Sequence, residues 1–372
     1  MQNLIQKEEN PRYLSEQIIT YIGNKRTLLP FIGKALSRVQ KKLNTTKLKT
    51  FDVFSGSGIV SRYLKQYSSL LITNDLEEYA RIINCCYLSN TYNRDENLLK
   101  DFFNEISHLL VEEKLSPGLI SNHYAPKNDE TINKGERVFY TQRNAQYLDT
   151  ARTLISKMPI QYQPFFLAPL FSEASIHANT SGVFKGFYKN KETGIGKFGG
   201  HKGDALSRIT GDIILPYPVF SNFDCEVTIC SGDSSKIAQT LPEVDLAYLD
   251  PPYNQHPYGS NYFMLNLLAS YILPEHISPV SGIPVNWNRS QYNKKNHAFA
   301  ELDSLVENLK AKFLVVSFNS EGFISRSEME KLLTQHGKLD VIEIPYNTFR
   351  GSRNLGNRNI HVTEYLYIVE KN

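Results

Sequence analysis

An acid, two prolines and an aromatic stand together at Asp250-Pro251-Pro252-Tyr253, directly after the apolar run 244–249. The prolines fix φ near −65° and restrict the residues before them. The corner is therefore stiff. It presents a carboxylate and a ring at the carboxyl end of a strand, where open α/β sheets bind ligands. An exocyclic amine on a nucleobase is a poor nucleophile, because its lone pair is delocalised into the ring. The Asp250 carboxylate and the Pro251 carbonyl can hold the two amine hydrogens and turn the lone pair toward an electrophilic methyl group, while Tyr253 stacks on the base. The base must first leave its duplex. Positioning and aimed acceptors then do most of the work, without a metal or a covalent intermediate.

A second constellation is the glycine turn Ser55-Gly56-Ser57-Gly58, which follows a predicted strand and opens a predicted helix. Small residues let a ligand approach the backbone, and the helix start exposes N–H donors. Asp75 lies about 20 residues further on, at the end of the next strand, where an acid takes the two ribose hydroxyls of an adenosine-containing ligand. Ser61 stands where a dinucleotide fingerprint has its last glycine. That argues against a pyrophosphate cofactor and leaves a nucleoside without phosphates. Alone, the turn is equally well a tight βα connection.

Both constellations need a sheet to hold them. Strands are predicted at 49–54, 70–73, 226–230, 244–249, 313–318, 339–344 and 362–369, and helices at 59–67, 76–89, 300–310 and 325–335. Strand, glycine turn, helix and strand open a βαβ unit, and the continuous run FLVVSF suits a strand covered on both faces. Residues 95–180 read as helices with polar turns. Residues 180–211 are rich in Gly, Lys, Phe and Tyr with little periodicity, and long loops of this kind usually carry function. The expected organisation is one discontinuous α/β domain, 12–94 with 223–372, interrupted by a helical and loop-rich insertion, 95–222.

The chain has 372 residues, 41% hydrophobic and 21% charged, as in ordinary globular proteins. Its start is polar, and no run approaches the ~20 apolar residues of a membrane span, so neither secretion nor insertion is expected. Cys85, Cys86, Cys225 and Cys230 read as reduced thiols of a cytoplasmic protein, not a disulfide framework or metal site. His177 and His201 lack ligand neighbours at metal spacing. A net charge of +3 permits a polyanionic partner without establishing one. Local charge says more. Lys185, Lys189, Lys191, Lys197, Lys202 and Arg208 are interleaved with Phe184, Phe187, Tyr188 and Phe198, a mixture suited to phosphates and bases. Asn179, Thr180 and Ser181 add possible donors. After the proline corner, Asn254, His256, Tyr258, Asn261 and Tyr262 either close over a flipped base or are ordinary loop residues. The basic segment 349–359 is a further candidate for DNA backbone.

Three segments in order, YIGNKRTLLPFI, FDVFSGSG and LDPPY, resemble the D12 class of adenine-specific DNA methyltransferases, the Dam-like alpha group. The resemblance implies a Rossmann-like methyltransferase fold with a mostly parallel seven-stranded sheet and target recognition in the insertion. It implies S-adenosylmethionine as methyl donor, S-adenosylhomocysteine as product, no metal, and double-stranded DNA as substrate, methylated at N6 of a flipped adenine. Its cofactor pocket would take Tyr21, Gly23 and Lys25 from the first segment and Asp52, Phe54, Ser55, Gly56 and Gly58 from the second. Asp75, Asp233 of SGDSS, and Asp250 complete it. Asp250, Pro251, Pro252 and Tyr253 would be catalytic. Many relatives have proline where this chain has Val53, a departure with no evident cost. The role implied is that of a modification enzyme beside a cognate restriction endonuclease, cytoplasmic and nucleoid-associated. The same chemistry serves cytosine N4 or RNA, and an inactive DNA-binding relative is a further alternative. Asp ahead of PPY favours adenine by resemblance.

Overall fold

The computed structural model describes residues 8–112, 114–200, 203–347 and 361–372. Helix α1 (Pro11–Ser15) is capped by the Asn10 side chain. Helix α2 (Leu29–Leu43) buries Leu29, Ile32, Ala35, Leu36 and Val39, an apolar stripe at helical spacing. Then come β1 (Leu48–Asp52), α3 (Ile59–Lys65), β2 (Ser68–Asp75) and α4 (Glu78–Tyr87). Four helices follow, α5 (Glu96–Glu112), α6 (Leu119–Tyr124), α7 (Gln142–Ser156) and α8 (Pro164–Ile176), and then the short α9 (Leu206–Thr210). The chain returns through β3 (Glu226–Ser231), α10 (Ser234–Thr240), β4 (Val244–Leu249), α11 (Tyr258–Asn261) and α12 (Phe263–Ser270). It finishes with α13 (Lys295–Asn308), β5 (Ala311–Asn319), α14 (Arg326–His336), β6 (Gly337–Asn347) and β7 (His361–Lys371).

The strands form one seven-stranded sheet in the order β3-β2-β1-β4-β5-β7-β6. All pairs are parallel except those of β7, which is antiparallel to both β5 and β6. This is the Rossmann-like methyltransferase arrangement. The chain switches direction across the sheet between β1 and β4, so a crevice opens at their carboxyl ends. Asp52 is in register with Tyr248 there. Because β7 runs the other way, its beginning lies at the same edge, with Glu364 opposite Asn319, the last residue of β5.

Alternation divides the core into layers. Leu246 and Tyr248 of β4 pack with α2 and α3, as do Phe313 and Val315 of β5 and Leu366 and Ile368 of β7. Ala247, Leu249, Leu314, Val316, Tyr367 and Val369 pack on the other face with α10, α13 and α14. Two covered faces explain the continuous apolar runs. A third core joins α4 and α12 to α5–α8 and includes Phe166, Phe171, Phe184 and Ile213. Helices α5–α8 pack on one another through α7 and reach α4 and α12 through α8, so all of them share one core. Helix α8 is apolar and buried on every side over Phe165–Phe171, as a surrounded stretch of helix must be.

Strands β2 and β6 and helix α13 run well beyond the sequence expectation. Strand β2 extends beyond 70–73 because its polar ends find partners. Thr50 and Ser68 hydroxyls meet at 2.6 Å, and the Asn74 amide donates to the carbonyls of Val53 and Gly232. Helix α13 starts at Lys295, before the expected 300. Leu314 is fully buried in the central sheet. Leu314→Ala should lower unfolding free energy in urea by about 3 kcal/mol, and a loss below about 1 kcal/mol would contradict the packing described.

Candidate active site

At the end of β1 the backbone turns sharply through Ser55–Gly58. Gly56 has φ +51°, and a Cβ there would lie 2.8 Å from Tyr21 Cε1. Its N–H donates to Asp75 Oδ2 at 2.7 Å. Gly58, at φ +75°, starts α3. Ser55 Oγ accepts from the Asn84 amide at 2.8 Å. Below the turn, Asp52 is fully buried, and its Oδ2 accepts from Ser61 Oγ at 2.5 Å. Its Oδ1 has no hydrogen-bond partner among the described residues. Burial pushes the Asp52 carboxyl up to about 7, against the pull of the Ser61 hydroxyl.

Next to β1, β4 delivers Asp250. Asp250 Oδ1 lies 3.2 Å from Lys25 Nζ, which also lies 3.2 Å from Glu364 Oε1. Burial alone would lower the Lys25 ammonium, but the two carboxylates outweigh it and hold the charge well above the ordinary range. Burial raises Asp250 to about 6, with Lys25 pulling down and Glu364 pushing up. The loop beyond is clamped. The Tyr253 carbonyl accepts from Phe323 N–H at 2.9 Å, and the Asn254 carbonyl from the Asn293 amide at 2.8 Å. The Tyr253 ring meets Phe318 edge-on and lies 5.7 Å from Lys25 Nζ. Gly23, at φ +74°, lets the first segment bend beside Tyr253 and Tyr258.

One cavity joins these parts. Tyr21, Phe54, Asp75, Asp233, Asp250 and Pro252 all line it. Lys25 stands buried behind Asp250. Tyr21 stacks against both Tyr258 and Tyr262, at 5.1 and 4.9 Å, and those two rings meet each other at 6.0 Å. Asp233 caps α10, accepting from Lys236 N–H. Asp75 also props the turn, since its two oxygens accept from Gly56 and Glu77 N–H groups, while burial raises its carboxyl.

Several wall residues escaped the sequence reading. Glu77 is 3% exposed, and its Oε2 accepts from Asn266 and Asn288 amides. Burial raises it to about 7. In NDLEE it reads as an ordinary acid at a helix start. Asn288–Tyr292 closes one side of the cavity, yet has no periodicity to betray it. Glu364 offered a signal: Val362, Leu366 and Ile368 of the same parity are buried, so a charge among them is anomalous.

The residues expected on DNA fall into three groups. Lys185 and Lys189 are exposed and Lys197 half-buried. Lys185 is close enough to His256 to add to the lowering that burial causes on its imidazole. Lys189 bridges to Gly196, and Asn190 N–H donates to the Ile195 carbonyl at 2.8 Å, forming a tight hairpin with Lys191 near its tip. Arg208, Tyr258 and Asn261 are engaged within the protein. The Arg208 guanidinium is used on the carbonyls of Ile176, Ala178 and Thr180, which braces the loop. Tyr258 is a cavity wall, its hydroxyl donating to the Ile22 carbonyl. Asn261 is 2% exposed, beneath Phe184, whose N–H it accepts. Phe184 and Phe187 likewise pack on Phe139. Lys202, His201 and the segment 349–359 lie outside the described residues. All four cysteines are free thiols. Among the described residues no group of three or more His, Cys, Asp or Glu is placed to hold a metal, and no helix is long and apolar enough to cross a membrane.

Residues 21–332 match the family of D12 class N6 adenine-specific DNA methyltransferases. The chain belongs to this family. The D12 chain is 29% identical over 356 residues to the type II methyltransferase M.CviAII of Paramecium bursaria Chlorella virus 1, covering 94% of this chain and 98% of that one. It is 26% identical over 362 residues to the type II methyltransferase M.NlaIII of Neisseria lactamica, covering 95% and 99%. With the type II methyltransferase M.FokI of Planomicrobium okeanokoites it shares 25% identity over 364 residues, covering 94% of this chain and 52% of that one.

The D12 enzyme's buried carboxyls have a consequence for stability. Asp52 titrates at about 7 when folded and near 4 when unfolded. Between these values the folded state binds more protons, so the group's stabilising contribution is lost as pH rises. Asp52→Asn, which cannot ionise, should gain stability relative to wild type by roughly 2–4 kcal/mol between pH 4 and pH 7.5 in paired denaturant titrations. A difference that is flat with pH would contradict the raised value.

Proposed function

We propose that this adenine-specific DNA methyltransferase transfers the methyl group of S-adenosylmethionine to N6 of an adenine flipped out of double-stranded DNA at a specific sequence. The observation that carries the reading is that Asp250 lies on the wall of the same cavity as Phe54, Asp75 and Asp233. The lining fits a nucleoside. Tyr21 and Phe54 offer ring faces, and Asp75, Glu77 and Asp233 offer acceptors for hydroxyl and amino donors. The bent turn at Gly56 lets the Tyr21 ring, a wall of the cavity, close on the backbone. Bound there, S-adenosylmethionine supplies an electrophilic methyl group on a cationic sulfur, and S-adenosylhomocysteine remains.

The chain's own groups do the rest. Lys25 fixes Oδ1 of Asp250 and leaves Oδ2 to accept one amine hydrogen. The Pro251 carbonyl accepts the other. Tyr253, steadied by Phe318 and Phe323, stacks on the extruded ring. As the nitrogen bonds to carbon it becomes positive and sheds a proton, and Asp250, with a proton affinity raised by burial, receives it. Fixed acceptors aimed at developing charge are effective because they need no reorganisation.

Residues 12–94 and 223–372 form the catalytic part in this reading, and 95–222 recognise the target. Lys185, Lys189, Lys191 and Lys197, exposed or half-buried on the hairpin side, meet phosphates. The relatives' names place them among type II and modification methylases, which supports protection of sites cut by a cognate nuclease. The test is nucleoside mass spectrometry of plasmid DNA incubated with enzyme and S-adenosylmethionine, with the modified positions mapped. N6-methyladenine at one defined sequence is expected. N4-methylcytosine, or methyl transfer to RNA alone, would contradict the reading.

A further inference from the structure

Glu364 belongs to none of the motifs that mark the family in this sequence, and the mechanism above does not use it. It sits near the start of β7, on the strand face that also buries Val362, Leu366 and Ile368. It is 5% exposed, and its Oε1 lies 3.2 Å from Lys25 Nζ. Its Oε2 is buried with no hydrogen-bond partner among the described residues. A half-satisfied carboxylate in such a place costs stability, and its pairing with Lys25 repays that cost only in part. The position therefore calls for a reason beyond folding.

The charges supply one. Lys25 lies at the same distance, 3.2 Å, from Asp250 Oδ1 as from Glu364 Oε1. With Asp250 as its sole partner, the ammonium would be a full counterion. It would draw electron density from the acceptor that must hold the amine, and it would weaken that carboxylate's hold on a proton. With Glu364 on its other side, Lys25 is shared, and the three groups together carry one excess negative charge. The reaction generates positive charge on the nitrogen next to Asp250, so that excess is of the right sign.

We propose that Glu364 is a positioning residue for methyl transfer: it anchors Lys25 from the β7 side, and so fixes the Asp250 carboxylate while sparing it the full charge of the ammonium. This rests on the reading that Asp250 accepts the amine hydrogens. Glu364 is among the causes that raise Asp250 to about 6. The other titratable groups coupled to Asp250 are Asp52 of β1, Tyr248 of β4 and Tyr258 of α11, and Tyr253 of its own loop is coupled to Lys25. Of these, Glu364 is the carboxylate in contact with Lys25.

The experiment is single-turnover methyl transfer to DNA from S-adenosylmethionine, recorded against pH for wild type, Glu364→Gln, Lys25→Met and the double variant. Calorimetry with S-adenosylhomocysteine checks that each pocket is folded. Glu364→Gln should slow transfer about tenfold at pH 8 and move the acidic limb down by about one pH unit. In the Lys25→Met background it should cost about twofold at most, because all but its direct charge effect on Asp250 passes through Lys25. Glu364→Asp, which keeps the charge, should keep the limb at its wild-type position, and it carries the test if Glu364→Gln does not fold. An unmoved limb in Glu364→Gln, a shifted limb in Glu364→Asp, or the same loss in both backgrounds overturns the proposal. A wild type with sound transfer and any of those results sinks this inference alone. A wild type that transfers nothing sinks the reading beneath it as well.

Discussion

A buried ammonium and a half-buried carboxylate held 3.2 Å apart at the carboxyl end of β4 make demands on the whole molecule. Each charge loses its water, and only good geometry and further partners repay that loss. Lys25 therefore needs a second carboxylate, and Asp250 needs a backbone that cannot drift. Two prolines stiffen the loop, and Phe323 and Asn293 tie down its next two carbonyls. The first segment bends at Gly23 and then runs into α2, whose apolar stripe is locked against the sheet. Removing Lys25 would strand two carboxylates, which costs far more than the intact cluster contributes, whereas removing Asp250 leaves Lys25 paired with Glu364.

Sheet topology turns that local geometry into a site. Because β1 and β4 are neighbours, the glycine turn and the proline corner open onto one cavity. Because β7 is antiparallel, a residue near its start reaches the same edge as residues at the ends of the parallel strands. An all-parallel sheet would have put Glu364 at the opposite edge. The tyrosine stack of Tyr21, Tyr258 and Tyr262 joins the cavity to the third core, which contains the helices after residue 95. The catalytic wall and the proposed recognition region therefore share packed side chains.

Much of this was legible in the sequence. Each of the seven expected strands corresponds to a strand of the sheet, since two covered faces and stiff turns leave plain marks on a chain. Tyr21 of YIGNK, Phe54 of FSGSG, and Asp250 and Pro252 of DPPY line one cavity, the last two segments because they directly follow β1 and β4. What was not legible depends on packing between distant segments. Tyr258, Asn261 and Arg208 looked like polar or basic residues free to meet DNA, yet a stack, a buried helix start and three carbonyls claim them. Phe184 and Phe187 sit in a basic loop but serve the core. Asn288–Tyr292 lines the cavity through loop geometry that has no period. Glu364 was visible only as a charge on an apolar strand face, and its partner lies 339 residues away.

The central claim is that the corner at Asp250 performs the chemistry while the rest of the cavity holds the donor. Asp250→Ala separates the two. With S-adenosylmethionine binding followed by calorimetry and methyl transfer to DNA followed in a single turnover, the account predicts binding within about tenfold of wild type and transfer reduced by roughly a thousandfold or more. Transfer at the wild-type rate from this variant would contradict it.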